Sequence, residues 1–242
     1  MSAPARATVG ARIQPPGFAC SAEGDAVSDV VVCGAVRTPF GRRNGTLAGM
    51  HAADLLGLVQ RTVLERAGLE PTKIDQVLAG CVAQVGMQAF NVARGAWLSA
   101  GLPVSVPATT IDTQCGSSQQ AVNLGYALIT SGAAEAVVAC GVEMMSIVKI
   151  GSTVPKDGHL GKPITRNYWQ HHEFTSQFEA AERIAEKWGI TRAEADAFGK
   201  LSQDRAAAAQ QAGAFDTQLV PVAAPVLDES RKPTGGNPHG AP

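Results

Sequence analysis

Little in this sequence is charged or aromatic: charged residues fill 17% and aromatic residues 5% of its 242 positions, and 20 Lys and Arg nearly cancel 21 Asp and Glu. A net charge of -1 gives no field for holding a phosphate backbone over many contacts, so nucleic acid is not an expected partner. No apolar run approaches the ~20 residues of a membrane-spanning helix. The five cysteines, Cys20, Cys33, Cys81, Cys115 and Cys140, are odd in number and contain no CxxC pair, and His51, His159, His171, His172 and His239 are equally scattered. A disulfide framework and a short-spaced metal motif are thereby excluded, and no metal is expected. Free thiols suit a reducing compartment, and the cytoplasm is the expected location. What is present is 45% hydrophobic residues in a chain long enough to bury a substantial core, the composition of a folded protein.

Residues 1–28 read as an extension outside the fold, because Pro4, Pro15, Pro16, Gly17 and Gly24 interrupt every periodic pattern. From residue 29 the punctuation becomes regular. A β-branched run from Val30 to Val36 predicts a buried strand, closed by Arg37, Thr38 and Pro39. Leu55, Leu56, Val59 and Val63 recur at helical spacing from about His51 to Ala67, with Gly68 as the stop. Pro71 opens a short turn, and Val77 to Val82 is a second strand. A helix over Asn91–Ala100, a strand over Val106–Asp112, an almost wholly apolar helix over Gln114–Ser131 and a strand over Ala134–Val142 complete the pattern. A helix apolar on nearly every face is expected to be buried on all sides. Alternating helices and continuously apolar strands predict an α/β core over 29–146, with a mostly parallel sheet covered by helices on both faces.

Residues 147–216 differ, beginning as a long irregular stretch that holds three of the five histidines. Two helices are predicted there, Gln177–Trp188 stopped by Gly189, and a second opened by a capping box of Thr191 and Glu194 and continuing to Gly213. A returning strand over 217–227, centred on Leu219–Val222, and an unstructured tail over 228–242 follow.

Cys115 is the candidate for chemistry. It lies between a predicted strand and a helix whose unsatisfied N–H groups favour thiolate over thiol, and the same groups could receive a developing oxyanion. Gly116 beside it allows close approach. Position alone leaves a second reading open, a small apolar core residue, and Cys33, Cys81 and Cys140 in predicted strands read that way.

The run Thr113-Gln114-Cys115-Gly116-Ser117-Ser118-Gln119-Gln120-Ala121 resembles the acyl-enzyme cysteine motif of thiolases. Val36-Arg37-Thr38-Pro39-Phe40-Gly41 resembles the segment after their first strand. Ala139-Cys140-Gly141-Val142-Glu143-Met144-Met145-Ser146 is similar to their G-G-x-E-x-M-S segment, with Cys140 for the first Gly. Ala181-Glu182, Ile190-Thr191-Arg192, Ala197-Phe198 and Ser202-Gln203 are similar to their loop domain, so the resemblance spans about residues 29–228. It implies the amino-terminal half of a thiolase with an inserted loop domain over 147–216. The implied activity is thiolysis of 3-ketoacyl-CoA, or the reverse condensation of acetyl-CoA, in fatty acid metabolism. Cys115 would carry the acyl thioester, with coenzyme A as substrate and no bound cofactor. Dimerisation through this half is a further implication.

The family's G-H-P histidine, N-E-A-F asparagine and C-x-G-G-G cysteine have no counterparts in this sequence, and His239 in Asn237-Pro238-His239-Gly240 has the wrong local order. The expectation is a nucleophilic half from an incomplete or frameshifted gene, lacking the carboxy-terminal domain and inactive alone, in which the helix over Gln114–Ser131 has no intrachain partner for one face and leaves an apolar patch exposed. The alternative is a non-catalytic module that binds acyl-CoA or pairs with a thiolase-like chain. His171 and His172, and Arg42 and Arg43, read as solvated loop residues with a CoA-phosphate role as the alternative. Met144 and Met145 read as core filling, with an acyl pocket as the alternative.

Overall fold

The computed structural model describes residues 29–225. The extension over 1–28, with Cys20, and the tail over 228–242, with His239, lie outside the described residues. Helix α1 (Ala52–Ala67) starts where the His51 ring accepts the amide of Ala53 at 3.1 Å, and stops at Gly68, whose φ of 65° is the left-handed conformation that glycine adopts without cost. Strand β1 (Gln76–Gly80), helix α2 (Val92–Ser99), strand β2 (Ala108–Ile111), helix α3 (Ser117–Thr130) and strand β3 (Val137–Gly141) follow in alternation. The three strands are parallel in the order β2-β1-β3, with Gly80 beside Ile111 on one side and Gly141 on the other.

Central β1 explains the continuous apolar run of its sequence, because both its faces are covered. Val77 and Ala79 join Leu56 and Leu64 of α1, and Ala93, Ala96 and Trp97 of α2, in the main core. Gly80, of opposite parity, faces α3, which lies across β1 and β3. Asn91 ties α2 to the sheet, its side chain accepting the Arg94 amide at 3.2 Å and donating to the Ala108 carbonyl at 2.8 Å. Asp75 joins the entrances of β1 and β3 by accepting the amides of Glu135 and Ala136 at 2.6 and 3.0 Å. These hydrogen bonds, Ala136 foremost, hold its carboxyl below the usual carboxylate range.

Four expectations are corrected by this arrangement. Residues 30–36 form no strand: Val31 and Val32 are exposed, and so is Cys33. The three-stranded sheet does not pair with this run, which instead rests Gly34 against Val63 and Ala67 of α1. The returning strand over 217–227 is reduced, within its described part, to a single bridge between Leu219 and Arg37, with Val220 buried behind it. Helix α3 buries only Ser117, Ala121 and Gly125, leaving Val122, Leu124 and Tyr126 exposed, because the sheet covers one of its faces and no described element covers the other. The stretch after β3 contains a further short helix, α4 (Tyr168–His171), ahead of α5 (Gln177–Trp188) and α6 (Arg192–Gln211). Gly189 and the Thr191–Glu194 box cap these last two helices at the expected positions. None of residues 149–219 is buried.

Two outcomes test this account. A Cβ at Gly57 would stand 2.6 Å from the Ala96 carbonyl where α1 crosses α2, whereas one at Gly95 meets nothing within 4 Å. Urea unfolding should show Gly57→Ala destabilising by about 1–3 kcal/mol and Gly95→Ala neutral or stabilising by up to about 1 kcal/mol. The folded pKa of Asp75 lies below its ordinary 3.8, so its contribution is complete above that value and is lost as pH falls through the folded pKa. Acid titrations should show Asp75→Asn with a smaller fall in stability below pH 3.8 than the parent.

Candidate functional site

The carboxyl ends of parallel strands, where chains turn into helices, are where α/β proteins hold their ligands. Between β2 and α3 the chain makes such a turn over residues 112–116. Asp112 Oδ1 accepts the Gln114 amide at 2.8 Å, an Asx turn that carries Gln114 into the left-handed region at φ 53°. The Ser117 hydroxyl, buried beneath, accepts the Thr113 amide at 3.0 Å and donates to the Gln114 carbonyl. Gly116 and Ser117 close the turn with backbone bonds to Thr113 at 3.3 Å and Gln114 at 3.0 Å. The loop projects Cys115 into solvent just ahead of α3, whose amino terminus has no side-chain cap.

An exposed thiol at an uncapped helix amino terminus has what a nucleophile needs, namely access and a partial positive potential. The other thiols differ. Cys81 is buried after β1, and desolvation first, with the Glu143 charge second, pushes it up to about 12. Cys140 is half-buried with its sulfur turned inward beside Gln60, and burial pushes it up to about 12 as well. Both are packing residues, as expected; Cys33 is not.

The remaining candidates lie elsewhere. His171 and His172 are exposed, in ring contact with each other at 6.4 Å and, for His172, with Tyr168 at 5.4 Å. His159 pairs with Asp157 at 2.6 Å. Arg42 and Arg43 are exposed on a turn closed by the Gly45 amide on the Arg42 carbonyl. Met144 is core, packed with Ala52, Leu55, Cys81 and Val92, whereas Met145 is 51% exposed. A hollow of about 350 Å³ lined by Gly49, Met50, His51, Asp54 and residues 223–225 shares no residue with the Cys115 turn. No group of three or more His, Cys, Asp or Glu among the described residues is placed to hold a metal ion.

The sequence did not disclose the side chains that shape this edge of the sheet. Asp112 and Ser117 had a local signal, an Asx turn leading into a helix, whereas Gln88 and Glu143 are joined across 55 residues of chain at 2.7 Å.

The model of the thiolase N-terminal domain matches residues 30–234. Over 205 residues the chain is 42% identical to the steroid 3-ketoacyl-CoA thiolase FadA6 of Mycobacterium tuberculosis, covering 82% of this chain and 50% of that protein. It is 38% identical over 206 residues to an acetyl-CoA acetyltransferase of Pseudomonas aeruginosa, covering 82% and 52%. To a beta-ketoadipyl-CoA thiolase of Pseudomonas putida it is 36% identical over 206 residues, covering 80% and 52%. The chain spans about half the length of the curated relatives it matches.

Iodoacetamide treatment of the folded chain at about pH 8, followed by peptide mass spectrometry, should modify Cys115 and leave Cys81 and Cys140 unmodified until denaturant is added. Labelling of Cys81 or Cys140 in the folded chain would contradict their burial.

Proposed function

The chain belongs to the thiolase family, and on that premise we propose that Cys115 is the acyl acceptor of a thiolase-type acyltransferase acting on 3-ketoacyl-CoA or acetyl-CoA. In thiolysis the Cys115 thiolate attacks the keto carbonyl and the bond between C2 and C3 breaks. Its electron pair leaves as the acetyl-CoA enolate, which takes up a proton. The acyl group remains as a thioester on Cys115 until the thiol of coenzyme A attacks it, releasing acyl-CoA and restoring the cysteine. One difficult cleavage becomes two easier steps. The observation that carries this reading is the exposed Cys115 turn, closed by Asp112 and Ser117 at an uncapped helix terminus.

The enolate's proton and the activation of the thiol need groups that the G-H-P, N-E-A-F and C-x-G-G-G motifs supply in the family and that this sequence lacks. In this reading the chain works together with a polypeptide that carries those motifs, paired with a thiolase-like chain, in the cytoplasm. No helix among the described residues is long and apolar enough to cross a membrane. The exposed apolar face of α3 and the coreless stretch 149–219 favour a second reading, a non-catalytic module that binds acyl-CoA or pairs with a thiolase.

Intact-mass analysis after incubation with acetyl-CoA separates the two, run with and without the complementary half of the M. tuberculosis relative and with Cys115→Ser as control. The acyl-acceptor reading expects an acetyl adduct on Cys115 when that half is supplied, and none on the variant. Binding of the half with no adduct under any condition would leave the module reading.

A further inference from the structure

Glu143 is a half-buried carboxylate whose partners are all neutral hydrogen-bond donors. Its oxygens accept the amides of Val82 at 2.9 Å and Ala83 at 3.4 Å and the Gln88 side-chain amide at 2.7 Å. Gln88, fully buried, uses both ends of its side chain. Its Nε2 also donates to the Ala83 carbonyl at 2.8 Å, and its Oε1 accepts the Met144 amide at 2.6 Å. The pair thus fastens residues 81–83 to residues 143–144. Residues 81–83 directly follow Gly80, the last residue of β1, and residues 143–144 lie one residue beyond Gly141, the last of β3; the intervening Val142 donates its amide to the Gly80 carbonyl at 3.1 Å.

Those two glycines form the floor under α3. A Cβ built on Gly80 would stand 2.4 Å from the Ser118 amide nitrogen, and one on Gly141 would stand 2.0 Å from the Ser118 hydroxyl. Ser118 follows Ser117, whose hydroxyl closes the Cys115 turn. The height and tilt of the first turn of α3, which begins two residues after Cys115, depend on where the ends of β1 and β3 lie. The loop after β1 also reaches β2 directly, through the Cys81 amide on the Ile111 carbonyl at 3.0 Å.

We propose that Glu143 and Gln88 are positioning residues for Cys115: by clamping the loops after β1 and β3 they fix the glycine floor that seats the first turn of α3 against the thiol. The catalytic meaning of this role rests on Cys115 being the acyl acceptor; the geometric role does not. A carboxylate is required at 143 because it accepts three N–H groups at once, whereas a glutamine there turns an amide donor toward at least one of them. Charge-assisted hydrogen bonds of this kind orient groups that never touch a ligand themselves.

The test is the pH–rate profile for iodoacetamide displacement at Cys115, read peptide by peptide on the full chain with no acyl-CoA present. A failure of acylation therefore leaves it untouched. In Glu143→Gln the midpoint should move to higher pH and the rate near neutrality should fall at least about three-fold, since the helix terminus no longer faces the sulfur squarely. Leu64→Ala, which loosens the core between α1 and the sheet, serves as the matched loss of stability and should leave the profile unchanged. Glu143→Asp keeps the charge on a shorter arm and should fall between; it decides the matter if Glu143→Gln does not fold. An unchanged profile in the folded Glu143 variant, or a shift to lower pH, overturns the proposal.

Discussion

The carboxyl edge of the sheet depends on two positions that carry no side chain. Gly80 and Gly141 end neighbouring strands, and Ser118 of α3 sits where their Cβ atoms would be. Glycine in a strand costs backbone entropy and contributes nothing to packing, so its presence at both strand ends marks a close approach that the fold cannot make otherwise. The strand pair beneath is held by a carboxylate at each end. Asp75 gathers the amides of Glu135 and Ala136 where the strands enter, and Glu143 gathers those of Val82 and Ala83 where they leave. Each carboxylate satisfies donors that a short strand leaves unpaired.

The same constraint sorts the cysteines. Cys81 and Cys140 lie at or beside the ends of the clamped strands, where desolvation keeps them as thiols. Cys115 lies one strand over, after β2, where an Asx turn and a left-handed Gln114 lift the chain clear of the sheet before α3 begins. Holding a non-glycine residue at positive φ costs about 1 kcal/mol, which the paired hydrogen bonds of Ser117 and Asp112 offset. The turn projects one side chain outward while its neighbours stay bonded to backbone.

What was legible in the sequence was local. Gly68 and Gly189 end α1 and α5, and Thr191 with Glu194 opens α6, because each device acts within a few residues of chain. Parallel strands with helices on both faces also followed from the apolar runs, since β1 is buried on both sides. The run at 30–36 is richer in β-branched residues than β1, yet pairing is non-local and the described chain gives this run none, the one bridge falling just after it at Arg37. Composition registers how well a segment would suit a sheet and carries no information on whether a neighbour is present. Cys115 stood out through its motif, whereas Gln88 and Glu143 did not, because their contact exists only once two loops meet.

Helices α5 and α6 raise the opposite question, how elements form without a core. Their local devices are good: capped ends, the pair of Arg192 with Asp196 and that of Lys200 with Asp204, and Arg183 between Glu173 and Glu179. All of these are solvent-exposed, and exposed ion pairs contribute little. A helix as short as the 12-residue α5 is marginal in water without tertiary burial. Phe178, Ile184 and Trp188 along α5, and Phe198 and Leu201 on α6, are nevertheless exposed. Glu179, Glu182 and Glu186 outnumber Arg183 and Lys187 on α5, so its charge does not favour an anionic lipid surface. These faces, like the open side of α3, are covered by no described element. The chain spans about half the length of the curated relatives it matches, and its described residues place the exposed Cys115 after β2, beside a strand pair held by a carboxylate at each end, while α3 buries one face and α5 and α6 bury no residue.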